Sequence, residues 1–252
     1  MAARDEILGY LDELLDPGAF EDYSPNGLQV PGSDRIHKVV TGVSATLDLF
    51  EEAVERDADL VLTHHGIFWN GSPEALTLQQ ARRLRILLTQ DVNLASYHLP
   101  LDAHAEVGNN ALLCDALGLE RGEPFGKHHG QTIGWIGRAP QPLSPQELRG
   151  RIASELDREP LIFEYGPSAI ERIAIVSGGA SGYLREAIDA GADAFMTGEP
   201  AERVMAESRE GGIHFIAAGH YATETMGIRR LGELIAERFD VLHEFVDLPN
   251  PV

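Results

Sequence analysis

The sequence predicts an α/β fold with largely parallel strands, arranged as two similar α/β lobes. Two observations carry this expectation. Short apolar runs of strand character alternate with helix-period segments along nearly the whole chain. A helix–turn–strand pattern also recurs: residues 52–63 (EAVERDADLVLT) align with 186–197 (EAIDAGADAFMT), with identity at 52/186, 53/187, 58/192, 59/193 and 63/197.

Each element has a local reason. Residues 3–15 place Ile7, Leu8, Leu11, Leu14 and Leu15 at three- and four-residue spacing and read as an amphipathic helix. Pro25-Asn26-Gly27 is turn chemistry. Strands follow at 38–45, 60–63 and 92–97, alternating with helices at 47–56, 78–90 and 109–117, the last closed by Gly118. In the second half, strands are expected at 132–137, 173–176, 194–197, 213–218 and 241–246. Helices are expected at 183–190 and 223–237, and a further helix opens at Ser144-Pro145-Gln146-Glu147, which reads as a capping box. The best boundary candidates are 122–131 and 138–145, and the repeat favours a cut near 126. The first lobe is then 1–126, with 225–252 returning to it, and the second is 127–224.

Composition narrows the function classes. A chain of 252 residues, 43% hydrophobic, can bury a sizeable core. No apolar run approaches the roughly 18–20 residues that span a bilayer. The opening MAARDEILGYLDELL carries acids where a signal peptide is basic and apolar, so a cytoplasmic protein is expected. Cys114 is the single cysteine, expected to be a small buried apolar residue. A thiolate-rich metal site is thereby excluded. Any ion must use imidazole and carboxylate, which suits zinc, iron, manganese, cobalt or nickel. The net charge of −20 repels phosphate backbones, so duplex nucleic acid is not an expected partner. Only Lys38 and Lys127 are lysines; a salt-rich cytoplasm and a GC-rich genome both fit that bias.

Five of the ten histidines fall in three short segments, each at an expected strand end. In Thr63-His64-His65-Gly66, alternation along a regular strand would turn the two imidazoles to opposite faces. At a strand end they can diverge onto two neighbouring ions. In Tyr97-His98-Leu99-Pro100-Leu101-Asp102-Ala103-His104, Pro100 is expected to break any helix or strand, so that a loop presents His98, Asp102 and His104. In Gly219-His220-Tyr221-Ala222-Thr223-Glu224, a helix starting near Tyr221 places His220 and Glu224 near one face, and a carboxylate there can bridge two ions. His37, His214 and His243 read as structural or exposed, and His128-His129 as a surface loop. The stretch Ser177–Gly182 (SGGASG) reads as a tight strand–helix connection; a phosphate cradle is the alternative, although the spacing matches neither standard nucleotide motif.

Together with Pro25-Asn26-Gly27-Leu28-Gln29-Val30, these segments resemble the NIF-three-like dinuclear-metal proteins of the YbgI type, many of them labelled type 2 GTP cyclohydrolase I homologues. The likeness runs through DYSPNGLQV, THHGIFW, YHLPLDAH, GNNA, GHYATE and DLPNP, nearly the whole chain. It implies two α/β lobes with a dinuclear metal site in the cleft between them, and a toroidal homohexamer whose sites face an internal cavity. Two divalent ions per chain are implied, with His65 and Asp102 on one, His64 and His220 on the other, and Glu224 bridging. His98 and His104 match positions close to the metals and are the implied proton shuttles. The implied reaction is opening of the guanine ring of GTP by metal-bound hydroxide at C8, with Glu224 essential. Another amidohydrolase or phosphoesterase reaction on a small molecule, or a non-enzymatic metal-binding or regulatory ring, fits the same residues.

Overall fold

The computed structural model describes residues 1–72 and 75–252. Its contacts divide the chain into two compact units, 1–101 with 227–248 and 102–226 with 249–252. In chain order the elements begin with β1 (Ala2–Ala3), α1 (Arg4–Leu15), β2 (Gly27–Val30), β3 (Arg35–Ile36), β4 (Lys38–Ser44), α2 (Leu47–Glu55), β5 (Leu60–His65), α3 (Leu78–Thr89), β6 (Asn93–Ser96) and α4 (Leu99–Ala103). There follow α5 (Asn109–Ala116), β7 (Glu120–His128), β8 (Gln131–Leu143), α6 (Pro145–Glu155), β9 (Leu161–Phe163), β10 (Ile170–Ile175), α7 (Leu184–Asp189), β11 (Ala194–Thr197), α8 (Val204–Gly211), β12 (His214–Ala217), α9 (His220–Thr223), α10 (Thr225–Phe239) and β13 (Leu242–Phe245). Among the described residues, no helix is long and apolar enough to cross a membrane.

The first unit is built on a five-stranded sheet in the order β13-β4-β5-β6-β2. The first four strands run parallel and β2 closes the edge antiparallel to β6. Parallel strands need apolar residues on both faces. β4 and β5 supply them as nearly continuous buried runs, Val39–Val43 and Leu60–His64. Helix α2 starts at Thr46, whose Oγ1 accepts from Leu49 N–H, and α3 starts in a Thr77–Gln80 capping box. Their buried faces, Leu49, Phe50 and Ala53 on α2 and Leu87 on α3, pack on Val40, Val61 and Leu94. Each such side chain contributes about 1.5–3 kcal/mol of burial.

The second unit holds a six-stranded sheet in the order β7-β8-β10-β11-β12-β9, with β10, β11 and β12 parallel at its centre. Ile173, Ile175, Met196 and Ile216 from these strands meet Leu113, Cys114 and Leu117 near α5 and Leu148 and Ile152 of α6. Cys114 is fully buried, and that burial pushes its thiol up to about 12, so it is inert packing. Helix α6 opens with the expected box, Ser144 Oγ accepting from Glu147 N–H and the Glu147 carboxylate accepting from Ser144 N–H.

Several expectations are corrected. The cut near 126 falls inside β7, and residues 102–126 belong with the second unit. The Gly- and Pro-containing stretch 122–131 is no linker but a hairpin. Its two-residue turn, His129-Gly130, has positive φ at both positions (44° and 91°), the conformation that closes tight hairpins with the right twist. His128 therefore lies on a strand and is buried rather than in a surface loop. Similarly, 138–143 continues β8. Pro100 does not prevent a helix: it sits in the first turn of α4, where its missing N–H has no helical partner to lose. β2, β9 and α8 had no strong periodic signal. The edge strands β2 and β9 are short, with four and three residues.

Candidate metal centre

In the first unit, β5 carries His64 and His65 at its carboxyl end, where ligands of open α/β sheets gather. Strand pairing continues past Thr63, with Ser44 opposite His65, so both histidines lie on the strand rather than beyond it. His64 is fully buried and His65 partly so. Their rings are nevertheless 4.7 Å apart at centroid, tilted by 46°. His98, just past β6, joins them at 5.0 Å from His64 and 5.5 Å from His65. One donor atom from each of the three lies within 4.8 Å of the others.

Each imidazole is held through Nδ1. His64 Nδ1 donates to the carbonyl of Tyr97 at 3.0 Å. His65 Nδ1 meets Ser44 Oγ at 3.1 Å, and His98 Nδ1 donates to Asp22 Oδ1 at 2.6 Å. Such outer partners fix the tautomer and aim Nε2, as metal-binding histidines require. Asp22 is itself anchored, accepting from Leu99 N–H (2.9 Å) and the Asn26 amide (3.0 Å) on Oδ2. Burial opposes its charge, but His98, Asn26 and Leu99 N–H outweigh that and hold the carboxyl down at about 2.

In the second unit, Glu224 stands close to His220 on one hand and to Asp102 on the other. His220 Nε2 stands 3.2 Å from Glu224 Oε1, and an oxygen of Asp102 lies within 4.8 Å of one of Glu224. Asp102 and Glu224 are both buried. Asp102 Oδ1 accepts from the Asn109 amide (2.8 Å) and Ser177 Oγ (3.0 Å), which orients the carboxylate. Asn110 braces this frame, donating to the Asp102 and Ile133 carbonyls and accepting from Ser177 N–H. His220 Nδ1 is hydrogen-bonded to the Glu199 carboxylate. Burial works against the imidazolium, but Glu224 and Glu199 outweigh it and raise His220 to about 9. The i and i+4 placement of His220 and Glu224 was legible; the helix proves to be the single turn of α9, with Glu224 just after it.

The SGGASG stretch takes the tight-connection reading. Its amides are used internally: Ser177 N–H goes to Asn110, Gly178 N–H to Thr223 Oγ1 and Ala180 N–H to Thr197 Oγ1. Its importance lies at Gly178, whose φ of +65° suits glycine and where any Cβ would stand 2.3 Å from Glu224 Oε1 and 3.2 Å from His220 Nε2. His104 Nδ1 accepts from the N–H groups of Glu106 and Val107, so Nε2 is the nitrogen suited to proton transfer. Among the remaining histidines, His214 bonds the Pro167 carbonyl, His243 bonds Thr41 and His37 is exposed. Reading the sequence missed Asp22, Ser44, Asn109, Ser177 and Glu199. Asp22 and Asn109 lie in the DYSPNGLQV and GNNA segments, and Glu199 stands at the place of the His64-His65 pair in the repeat, but none of the five has a spacing that marks it as a support.

The donor types of both units suit a divalent cation. Imidazole nitrogens fixed through Nδ1 and carboxylates held by amide or hydroxyl donors suit a borderline metal. The cradle at Gly178 exists only because no Cβ fills it.

The comparisons with known proteins give the family. Residues 2–251 match the family model described as Duf34/NIF3 (NGG1p interacting factor 3). The chain is 45% identical to a "GTP cyclohydrolase 1 type 2 homolog" of Pseudomonas aeruginosa, covering 99% of this chain and 98% of that one. It is 42% identical to the protein of the same name from Escherichia coli K12, over 98% of each. A solved structure described as protein ybgI, of unknown function, superposes with a TM-score of 0.95 at 40% identity, covering all of both chains. TTHA1606 from Thermus thermophilus gives 0.90 at 37% over the same coverage. Reduced HcgD from Methanocaldococcus jannaschii, at 21% identity and a TM-score of 0.87, shares the fold. The chain belongs to the Duf34/NIF3 family.

Proposed function

We propose that the chain is a dinuclear metal-dependent hydrolase, with His64, His65, Asp102, His220 and Glu224 as its ligands and a GTP cyclohydrolase I-type ring opening as its leading activity. The observation that carries this reading is the uniform treatment of the imidazoles. His64, His65, His98 and His220 all have Nδ1 engaged by the protein, which commits Nε2 to a ligand or a proton. Two divalent ions bound there would supply Lewis acidity and lower the pKa of water toward neutrality. The chain's own residues divide the remaining work. Glu224, packed closely against Gly178, would be the carboxylate shared between the ions. Asn109 and Ser177 both donate to Oδ1 of Asp102 and so orient its carboxylate. His98, backed by the Asp22 carboxylate, is oriented to accept a proton at Nε2 and return it. His104, whose Nδ1 accepts two backbone N–H groups, keeps its proton on Nε2 and is suited to donate it.

The substrate assignment is supported by the names of the relatives above 40% identity. A net charge of −20 favours a second reading, an amidohydrolase acting on a small neutral substrate, because it offers a triphosphate no long-range attraction. The homohexameric ring and cytoplasmic residence implied by the resemblance belong to the same proposal. Metal-loaded protein should release formate from GTP, and Glu224→Ala should lose that release while still folding. Turnover of neutral amides without GTP turnover would favour the second reading. No turnover of either, with ions that resist chelation, would leave a metal-binding ring and overturn the enzyme.

A further inference from the structure

A pocket of about 600 Å³ opens in the first unit, within the usual range for small-molecule sites. Its walls combine aromatic rings, Phe20, Phe68 and Trp69, with the amides of Asn26 and Asn70. None of these five belongs to the proposed ligand set. Trp69 connects the pocket to the imidazoles. Its Nε1 donates to the Gly66 carbonyl at 3.2 Å, which fixes the indole. The ring stands edge-on to His98 at 5.3 Å and lies 5.8 Å from His65.

The polar groups differ in what they have left to offer. Asp22 also lines the pocket, but both its oxygens are taken, by His98 on one side and by Leu99 N–H and Asn26 on the other. Asn26 spends its oxygen on His98 N–H. Asn70 is exposed and donates through Nδ2 to the Asp22 carbonyl at 2.9 Å, while its Oδ1 accepts no hydrogen bond among the described residues. A rigid aromatic wall with one such acceptor at its rim selects for a flat ring with a donor edge.

We infer that this pocket binds a planar heteroaromatic ring carrying N–H donors, stacked between Trp69 and Phe20 with its donor edge on Asn70. That this ring belongs to the reacting substrate rests on the hydrolase reading above. Binding in the pocket does not require metal, so the two can fail separately.

The chain has two tryptophans, Trp69 and Trp135, so Trp135→Phe leaves Trp69 as the sole indole emitter. The full chain carrying that change is titrated with guanosine, as purified and again after chelation. The expected result is saturable quenching of Trp69 emission in both states. Phe20→Ala should weaken the apparent affinity about tenfold through the lost stacking partner. Asn70→Leu, at an exposed position, should weaken guanosine about fivefold but leave purine riboside, which lacks the exocyclic N–H, unchanged. Quenching that stays linear in guanosine, or curves unmoved by both substitutions, would overturn the inference. Saturable binding without formate release would keep the pocket and remove the GTP reading; formate release without quenching would do the reverse.

Discussion

The turns entering β5 and β11 are built alike, while the residues just beyond the two strands have diverged. Asp59 accepts the N–H groups of His37 (2.6 Å) and Lys38 (3.0 Å) on Oδ2, gives its own N–H to the Lys38 carbonyl and receives Asn93 N–H. Asp193 accepts Glu171 (2.8 Å) and Arg172 (2.9 Å), gives its N–H to the Arg172 carbonyl and receives His214 N–H. Two residues earlier, Asp57 and Gly191 both take positive φ, 54° and 69°. Both strands then reach a buried threonine. Thr197 Oγ1 is used fully, donating to the Gly178 carbonyl and accepting from Ala180 N–H, whereas Thr63 Oγ1 has no partner among the described residues. Past the threonines, one unit offers His64-His65 and the other Gly198-Glu199. The repeat thus preserves what a helix–turn–strand needs in order to fold, and lets the carboxyl ends specialise, one toward the proposed ligands and the other toward a partner for His220.

This comparison can be broken at the specialised ends, where effects should be largest. Gly178→Ala forces a methyl into the space of the Glu224 carboxylate and adds strain at φ +65°; metal affinity measured by calorimetry should fall more than about 100-fold. Unchanged affinity would mean that Glu224 is not a ligand. Glu199→Gln and Asp22→Asn each weaken the partner that orients an imidazole, of His220 and His98 respectively. Glu199→Gln should cost about 10–100-fold in metal affinity. Asp22→Asn should act on turnover more than on affinity, since His98 lies outside the proposed ligand set.

At the shared turns the effects are smaller and should match. Asp59→Ala and Asp193→Ala each strand two backbone N–H groups, and each should cost about 1–3 kcal/mol in denaturant unfolding. A large cost at one and none at the other would show that the two turns are alike only in outline. The smallest effect concerns acid. Because the Asp22 carboxyl is held at about 2, below its ordinary 3.8, its stabilising contribution is fully present above pH 4 and is lost as the pH falls through 2. Stability followed from pH 5 to pH 2 should decline less steeply in Asp22→Asn than in the parent chain.

The α/β class was legible because the parallel strands are buried on both faces and so read as apolar runs, such as LVLT and AFMT. The turn residues of the repeat were legible because Asp59 and Asp193 do the same work. What was not legible depended on partners far away in sequence. β7 carries Gly122, Pro124 and Gly126, and becomes a strand through pairing with β8, fixed by a two-residue turn. The proposed ligand histidines and acids stood out by clustering. Their supports stood out less: Ser177 lies 75 residues from Asp102 and Glu199 lies 21 from His220, too far apart to form a local pattern.

Elemental analysis of freshly purified protein, paired with Glu224→Ala, tests the central claim most directly. Two divalent ions per chain in the parent, and loss of both from the variant, is the result expected of a shared bridging carboxylate. A parent chain without metal, or a variant that keeps both ions, would contradict it.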